Sequence, residues 1–222
     1  MKYTDYEKAF SRARLDKYLQ SCGGDKLAAL ALYRFNVKLC QKFYGILNIF
    51  EVVLRNSISE HYKSYFSDTD WILHQLNQGG MLEFYPQKST VLNVISDLKN
   101  SGRYTNDRVV SSVSLGFWIY MFTKVPFLRG GQSLLNIFPS KAHGLGQRAI
   151  YNELRTIKAF RNRIAHHEAI CFDEFGTKST AFVRDNYALL FKYVQFLGYS
   201  ECQLFYGLDI FPDAVLRKID NL

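Results

Sequence analysis

No run of apolar residues in this 222-residue sequence approaches the ~20 that a membrane-spanning helix requires. The opening stretch MKYTDYEKAFSRARLDKYLQ is polar throughout and lacks the charged-then-apolar pattern of a secretory leader. The expected location is therefore the cytoplasm, with no membrane partner. Cysteine is sparse and scattered: Cys22, Cys40, Cys171 and Cys202 form no C-x-x-C pair. That spacing argues against a disulfide scaffold and against a zinc site, and leaves four reduced thiols as small packing or surface residues. No block of like charge stands out. There is no internal repeat, no low-complexity tract, and no strand-like alternation longer than a few residues.

What is present is ordinary globular material with a basic excess. Hydrophobic residues make up 48%, which excludes a disordered chain. Lys plus Arg number 28 against 20 Asp plus Glu, a formal net charge of +8. Such an excess favours a polyanionic partner, nucleic acid first and an acidic membrane surface second. The aromatic share, 16%, is read as packing.

Helical spacing dominates. Downstream of Asp25, a good N-cap, apolar residues recur at Leu32, Leu39, Phe43, Leu47, Phe50, Leu54 and Ile58, in steps of three, four and seven. Gly45 is a place where this helix could kink or divide. Short helices are predicted near residues 89–99 and 114–122, a longer one over residues 147–167, and an amphipathic one over residues 181–197 that Gly198 stops. In that last helix Phe182, Val183, Tyr187, Leu190, Phe191 and Val194 face inward. The tail FPDAVLRKI reads as one more short helix. The fold class is all-α: one domain over residues 1–222, with a loop-rich middle region at about 67–146 between two core helical segments.

The stretch KAFRNRIAHHEAI, residues 158–170, places much polar nitrogen in an otherwise apolar helix. At about 100° per residue, Arg161 falls in the middle of the stripe formed by Ile150, Leu154, Ile157 and Ala165. A guanidinium there must meet a carboxylate, a carbonyl, a water-filled cleft or an anionic ligand. Beside it on one flank follow Lys158, Asn162, Arg155 and His166, with Asn162 and His166 four residues apart and hence neighbours. A buried Arg can equally serve a core ion pair, with a His satisfying a neighbour. The convergence of Arg, Asn and His with two further cations favours an anion site over that alternative.

RNRIAH (Arg161, Asn162, Arg163, Ile164, Ala165, His166) resembles the R-polar-x-x-x-H motif of HEPN-domain ribonucleases. The phrase FRNRIAHHEAI, with upstream YRFNVKLCQKFYGILNIFEVVLRNSI and a middle SLGFW, looks like the Abi-like abortive-infection proteins of bacteria, the AbiD/AbiF group. The likeness covers residues 30–170 and is specific in those three places. LRNSISEH serves as an internal control, because His61 lies six residues beyond Arg55 rather than five. The motif proper occurs once, at Arg161.

The resemblance implies a HEPN-like helical bundle with long antiparallel core helices. It also implies an endoribonuclease, needing neither metal nor cofactor, that acts as an abortive-infection or toxin-type defence effector. In such enzymes the ribose 2′-hydroxyl attacks the adjacent phosphate and leaves a 2′,3′-cyclic phosphate. An imidazole, with an ordinary pKa of about 6.5, suits the proton transfers. His166 is the expected general acid/base, Arg161 the group that stabilises charge on the phosphorane, and Asn162 the residue that orients His166 or binds a phosphate oxygen. Lys158, Arg155 and Arg163 are expected to bind RNA phosphates. Glu51 and His167 are expected in support: Glu51 either pairs with Arg55 on its own helix or holds Arg161, and His167 turns toward helix-end backbone or solvent. The implied partners are an RNA substrate, a second copy in a homodimer, and an antitoxin of protein or non-coding RNA. Two other readings stay open at this point: a HEPN-type module that binds RNA or nucleotide without cutting, and a dimerisation bundle whose Arg–Asn–His set is a buried polar network.

Overall fold

The structure, a computed structural model, describes residues 2–173 and 175–222; Met1 and Glu174, the latter part of the charged turn before the predicted helix at 181, lie outside the described residues. The described residues form twelve α-helices and one 3-10 turn. Their only strand-like pairing is an isolated bridge between Phe172 and Lys178, so the fold is all-α.

Two helix ends show how local chemistry sets a boundary. Asp25 Oδ1 accepts from the amides of Leu27 (2.8 Å) and Ala28 (3.1 Å), capping two of the orphan N–H groups of α3 (Lys26–Phe66). This helix runs unbroken for 41 residues, so Gly45 does not divide it into two helices. A methyl group at Gly45 would meet only Leu208 Cδ1, at 3.8 Å. All seven apolar positions of the predicted face are buried. At the other end of the chain, α10 (Ala181–Phe196) closes with Gly198 at φ 84°. There the Gly198 amide donates to Gln195 O and the Tyr199 amide to Val194 O, the paired bonds of a Schellman turn. Val183, Leu190, Phe191 and Val194 are buried on this helix, and Phe182 and Tyr187 half-buried.

The chain divides into two compact units, both assembled from separated segments. The first comprises Met1–Asn48, Ala159–Leu190 and Phe205–Leu222. It holds α1 (Tyr3–Phe10), α2 (Arg12–Ser21), the first part of α3, the end of α9 (Gln147–Ala165), the start of α10, and α12 (Asp213–Asp220). Its core is aromatic: Phe43 meets Phe160 edge-on at 4.9 Å, Phe160 meets Phe182 at 5.6 Å, and Tyr18 meets Phe172 at 5.2 Å.

The second unit comprises Ile49–Lys158 and Phe191–Leu204. Between residues 67 and 146 lie α4 (Trp71–Gln75), α5 (Lys88–Asn100), α6 (Asn106–Ser112), α7 (Leu115–Tyr120), α8 (Lys124–Arg129) and the 3-10 turn Leu134–Ile137; α11 (Glu201–Leu204) follows α10. The stretch 124–146, whose prolines and glycines read as loop, thus contains a helix. Pro126 is accommodated in the first turn of α8, where its missing N–H removes no intrahelical bond. The fully buried pair Trp71 and Trp118, 6.4 Å apart, centres this unit, with Phe117 and Tyr62 against them.

Candidate active site

The helix α9 buries Ile150, Leu154, Ile157, Phe160 and Ile164. These positions advance 14 residues in four steps, a 3.5-residue repeat that drifts by about 40° around the helix over two heptads. The drift corrects two expectations. By the last turn the covered side has moved to Phe160 and Ile164, so Arg161 stands half-buried at the margin of the stripe, not in its middle, and Ala165 is exposed. Asn162 is also half-buried, while His166 is exposed to solvent. Neither the Asn162 amide nor the His166 imidazole has a hydrogen-bond partner among the described residues.

The helix ends two residues earlier than its pattern predicts, at Ala165. His166 is the cap residue, its amide still bonded to Asn162 O at 2.9 Å, so the two side chains keep their i,i+4 relation. His167 then turns into the left-handed region at φ 58°. Its amide donates to Ile164 O and that of Glu168 to Arg163 O, a Schellman turn built on histidine where glycine is usual. The His167 side chain is exposed.

Three residues distant in sequence or unexpected in role hold this turn. Arg14 on α2 donates through Nη2 to the carbonyl of His167. Asn36 on α3, only 5% exposed, accepts through Oδ1 from the amides of Ile170 (2.8 Å) and Cys171 (3.3 Å). Arg163 donates to the carbonyls of Ala169 and, at 3.2 Å, Phe172; it lies 4.6 Å over the Phe182 ring and 3.8 Å from Glu168 Oε2. Its guanidinium is thus engaged by the segment that follows the helix. Arg14 and Asn36 escaped sequence reading because nothing local marks them: they lie 153 and 134 residues from their partners.

The cationic character of α9 is pronounced. Its 19 residues contain Arg148, Arg155, Lys158, Arg161 and Arg163 but a single carboxylate, Glu153. That carboxylate is held at 2.8 Å by Lys192 Nζ and at 2.9 Å by the Tyr193 hydroxyl. Lys158 lies against Gly116 in the SLGFW helix: a methyl there would sit 3.0 Å from Nζ, so glycine leaves space for the amine. Arg155 is exposed, over the Tyr151 ring at 5.7 Å. Glu51 sits half-buried on the part of α3 that belongs to the second unit.

The thiols do not enter this chemistry. Burial pushes Cys171 up to about 12 and Cys40 up to about 11, which keeps both as neutral thiols at physiological pH. Among the described residues no three His, Cys, Asp or Glu side chains gather as metal ligands would. No helix is long and apolar enough to cross a membrane. No curated protein and no solved structure matches the chain. A family model does: that of the Abi-like protein family, over residues 1–171.

Proposed function

This chain belongs to the Abi-like protein family, and from that premise we propose that it is a metal-independent endoribonuclease serving abortive infection. The observation that carries the reading is the juxtaposition on the last turns of α9. A half-buried Arg161 and Asn162 and a solvent-exposed His166 occupy the last turns of one helix, with Asn162 and His166 four residues apart.

In the proposed reaction, an imidazole takes the proton of a ribose 2′-hydroxyl. The 2′-oxygen attacks the adjacent phosphorus, and the bond from phosphorus to the 5′-oxygen breaks as that oxygen receives a proton. The products are a 2′,3′-cyclic phosphate and a 5′-hydroxyl. Arg161 neutralises charge on the phosphorane oxygens, the step where a fixed cation contributes most. Asn162, one turn below His166, orients the imidazole or bonds a phosphate oxygen. Lys158 and Arg155, farther along α9, bind flanking phosphates and add salt-dependent affinity. Two proton transfers call for two groups, and each chain supplies one Arg161–His166 set; a twofold pair of chains would supply both. Arg163, Arg14 and Asn36 act as positioning residues for the turn that carries His166.

The test is cleavage of end-labelled RNA in EDTA by wild type, His166→Ala and Arg161→Ala. Wild type is expected to leave cyclic phosphate ends. Each variant should be slower by roughly 100-fold or more, up to about 10,000-fold for the proton-transfer group. RNA bound but left intact by wild type, with binding lost in Arg161→Ala, would replace the nuclease by a binding module.

A further inference from the structure

A groove wholly within the second unit lies between α8 and the first turns of α9. It encloses about 640 Å³ and is lined by Lys124, Phe127, Gln132, Arg148, Tyr151 and Asn152, among others. Volumes of this size suit a ligand of a few tens of atoms. Two aromatic rings, both half-buried, form apolar surface in it, and three amide side chains (Gln132, Gln147 and Asn152) and two cations surround them.

The charge of this groove is one-sided. None of its lining residues is acidic, and neither Lys124 nor Arg148 has a carboxylate partner among the described residues. The only acid of α9, Glu153, is turned to Lys192 and Tyr193. Arg155, over the same Tyr151 ring, adds a third cation at the margin. The frame is firmly held: Gln147 donates through Nε2 to the carbonyl of Phe122, and the Gln132 amide bonds Phe127 O at 2.9 Å. Gly131 and Gln132 both adopt positive φ, 75° and 58°, which sharpens the turn and sets Gln132 at the groove. Gly131 is required there, because a methyl would fall 2.1 Å from the Tyr65 hydroxyl.

We infer that this groove binds a nucleotide unit of single-stranded RNA, with phosphate on Lys124 and Arg148 and a base against Tyr151 and Phe127. Cations that follow a backbone, interleaved with rings on which any base can stack, are what a single strand needs for sequence-tolerant binding. Gln132 and Asn152 offer both donors and acceptors to a base edge. The inference extends the nuclease reading by giving its substrate a second contact, and it names single strands over duplexes because rings can stack only on unpaired bases.

The experiment measures binding of a labelled 12-nucleotide RNA by fluorescence anisotropy, in the His166→Ala background so that the probe stays intact. Lys124→Gln with Arg148→Gln should weaken binding about tenfold at 0.1 M salt. It should also lower the slope of log affinity against log salt by about 1.4, the value for two single-strand phosphate contacts. Tyr151→Leu should weaken binding without changing that slope. Both cations are exposed and have no carboxylate partner among the described residues, so circular dichroism of the double variant is expected to match the parent. Unchanged affinity and slope in the double variant overturn the inference, and cleavage of RNA by wild type in the same series would leave the nuclease reading standing. Conversely, a cation-dependent slope with no cleavage by wild type would retain this groove and remove the nuclease. A mononucleotide that competes as tightly as the 12-mer would assign the groove to free nucleotide and overturn the strand assignment.

Discussion

His166 and His61 carry the same side chain into opposite surroundings. His166 caps α9 and is open to solvent, whereas His61 lies half-buried on α3, with Nε2 3.0 Å from Ser133 Oγ and its ring stacked on Tyr65. Burial disfavours the imidazolium and lowers the His61 pKa. The unfolded chain, with His near 6.5, therefore takes up a proton that the folded chain refuses. Stability linked to His61 is present above that range and falls as pH drops through it. The urea midpoint is expected to decrease between pH 7.5 and 5.5, and His61→Asn should remove part of that decrease. An identical decrease in the variant would show that His61 takes up protons alike in the folded and unfolded chains. The histidine of LRNSISEH is thus engaged with the turn around Ser133, whereas His166 is exposed.

At the scale of elements, the candidate site depends on how α9 is stopped. Nothing in RNRIAHHEA contains the glycine that would announce a helix end, yet the helix stops at Ala165. The following turn is held from outside by the Asn36 amide oxygen, which captures two main-chain N–H groups, and by Arg14, and from within α9 by Arg163, both of which capture carbonyls. Asn36→Ala would leave the amides of Ile170 and Cys171 buried without acceptors, at a cost of about 3 kcal/mol. Urea denaturation should register that loss. Hydrogen exchange should locate it, with faster exchange at Ile170 and Cys171 than in α10. Uniform acceleration across the chain instead would mean that Asn36 supports the unit as a whole rather than this turn.

At the scale of the whole molecule, three helices, α3, α9 and α10, each run through both compact units, and the proposed chemistry draws on residues of only one helix per chain. If the proposed nuclease needs two proton-transfer groups, a single Arg161–His166 set per chain calls for a twofold assembly. Light scattering at micromolar concentration is expected to report twice the 25.8 kDa chain mass. A strictly monomeric protein that still cleaves RNA would sink the composite site and require both proton transfers from one chain.

Periodicity alone was enough to place α3, α5, α7, α9, α10 and α12, because an apolar face repeating at 3.6 residues must be covered and a helix is the form that presents it as one stripe. The RNRIAH motif, the SLGFW helix and the family were legible for the same local reason, as residues at fixed spacing. Burial at the end of α9 was not. Which side of Arg161 is covered, where the helix terminates, and that Arg163 serves the following turn all depend on Arg14, Asn36 and Phe182. Arg14 and Asn36 lie 153 and 134 positions from their partners, and Phe182 lies in the next helix; no local pattern encodes such pairings.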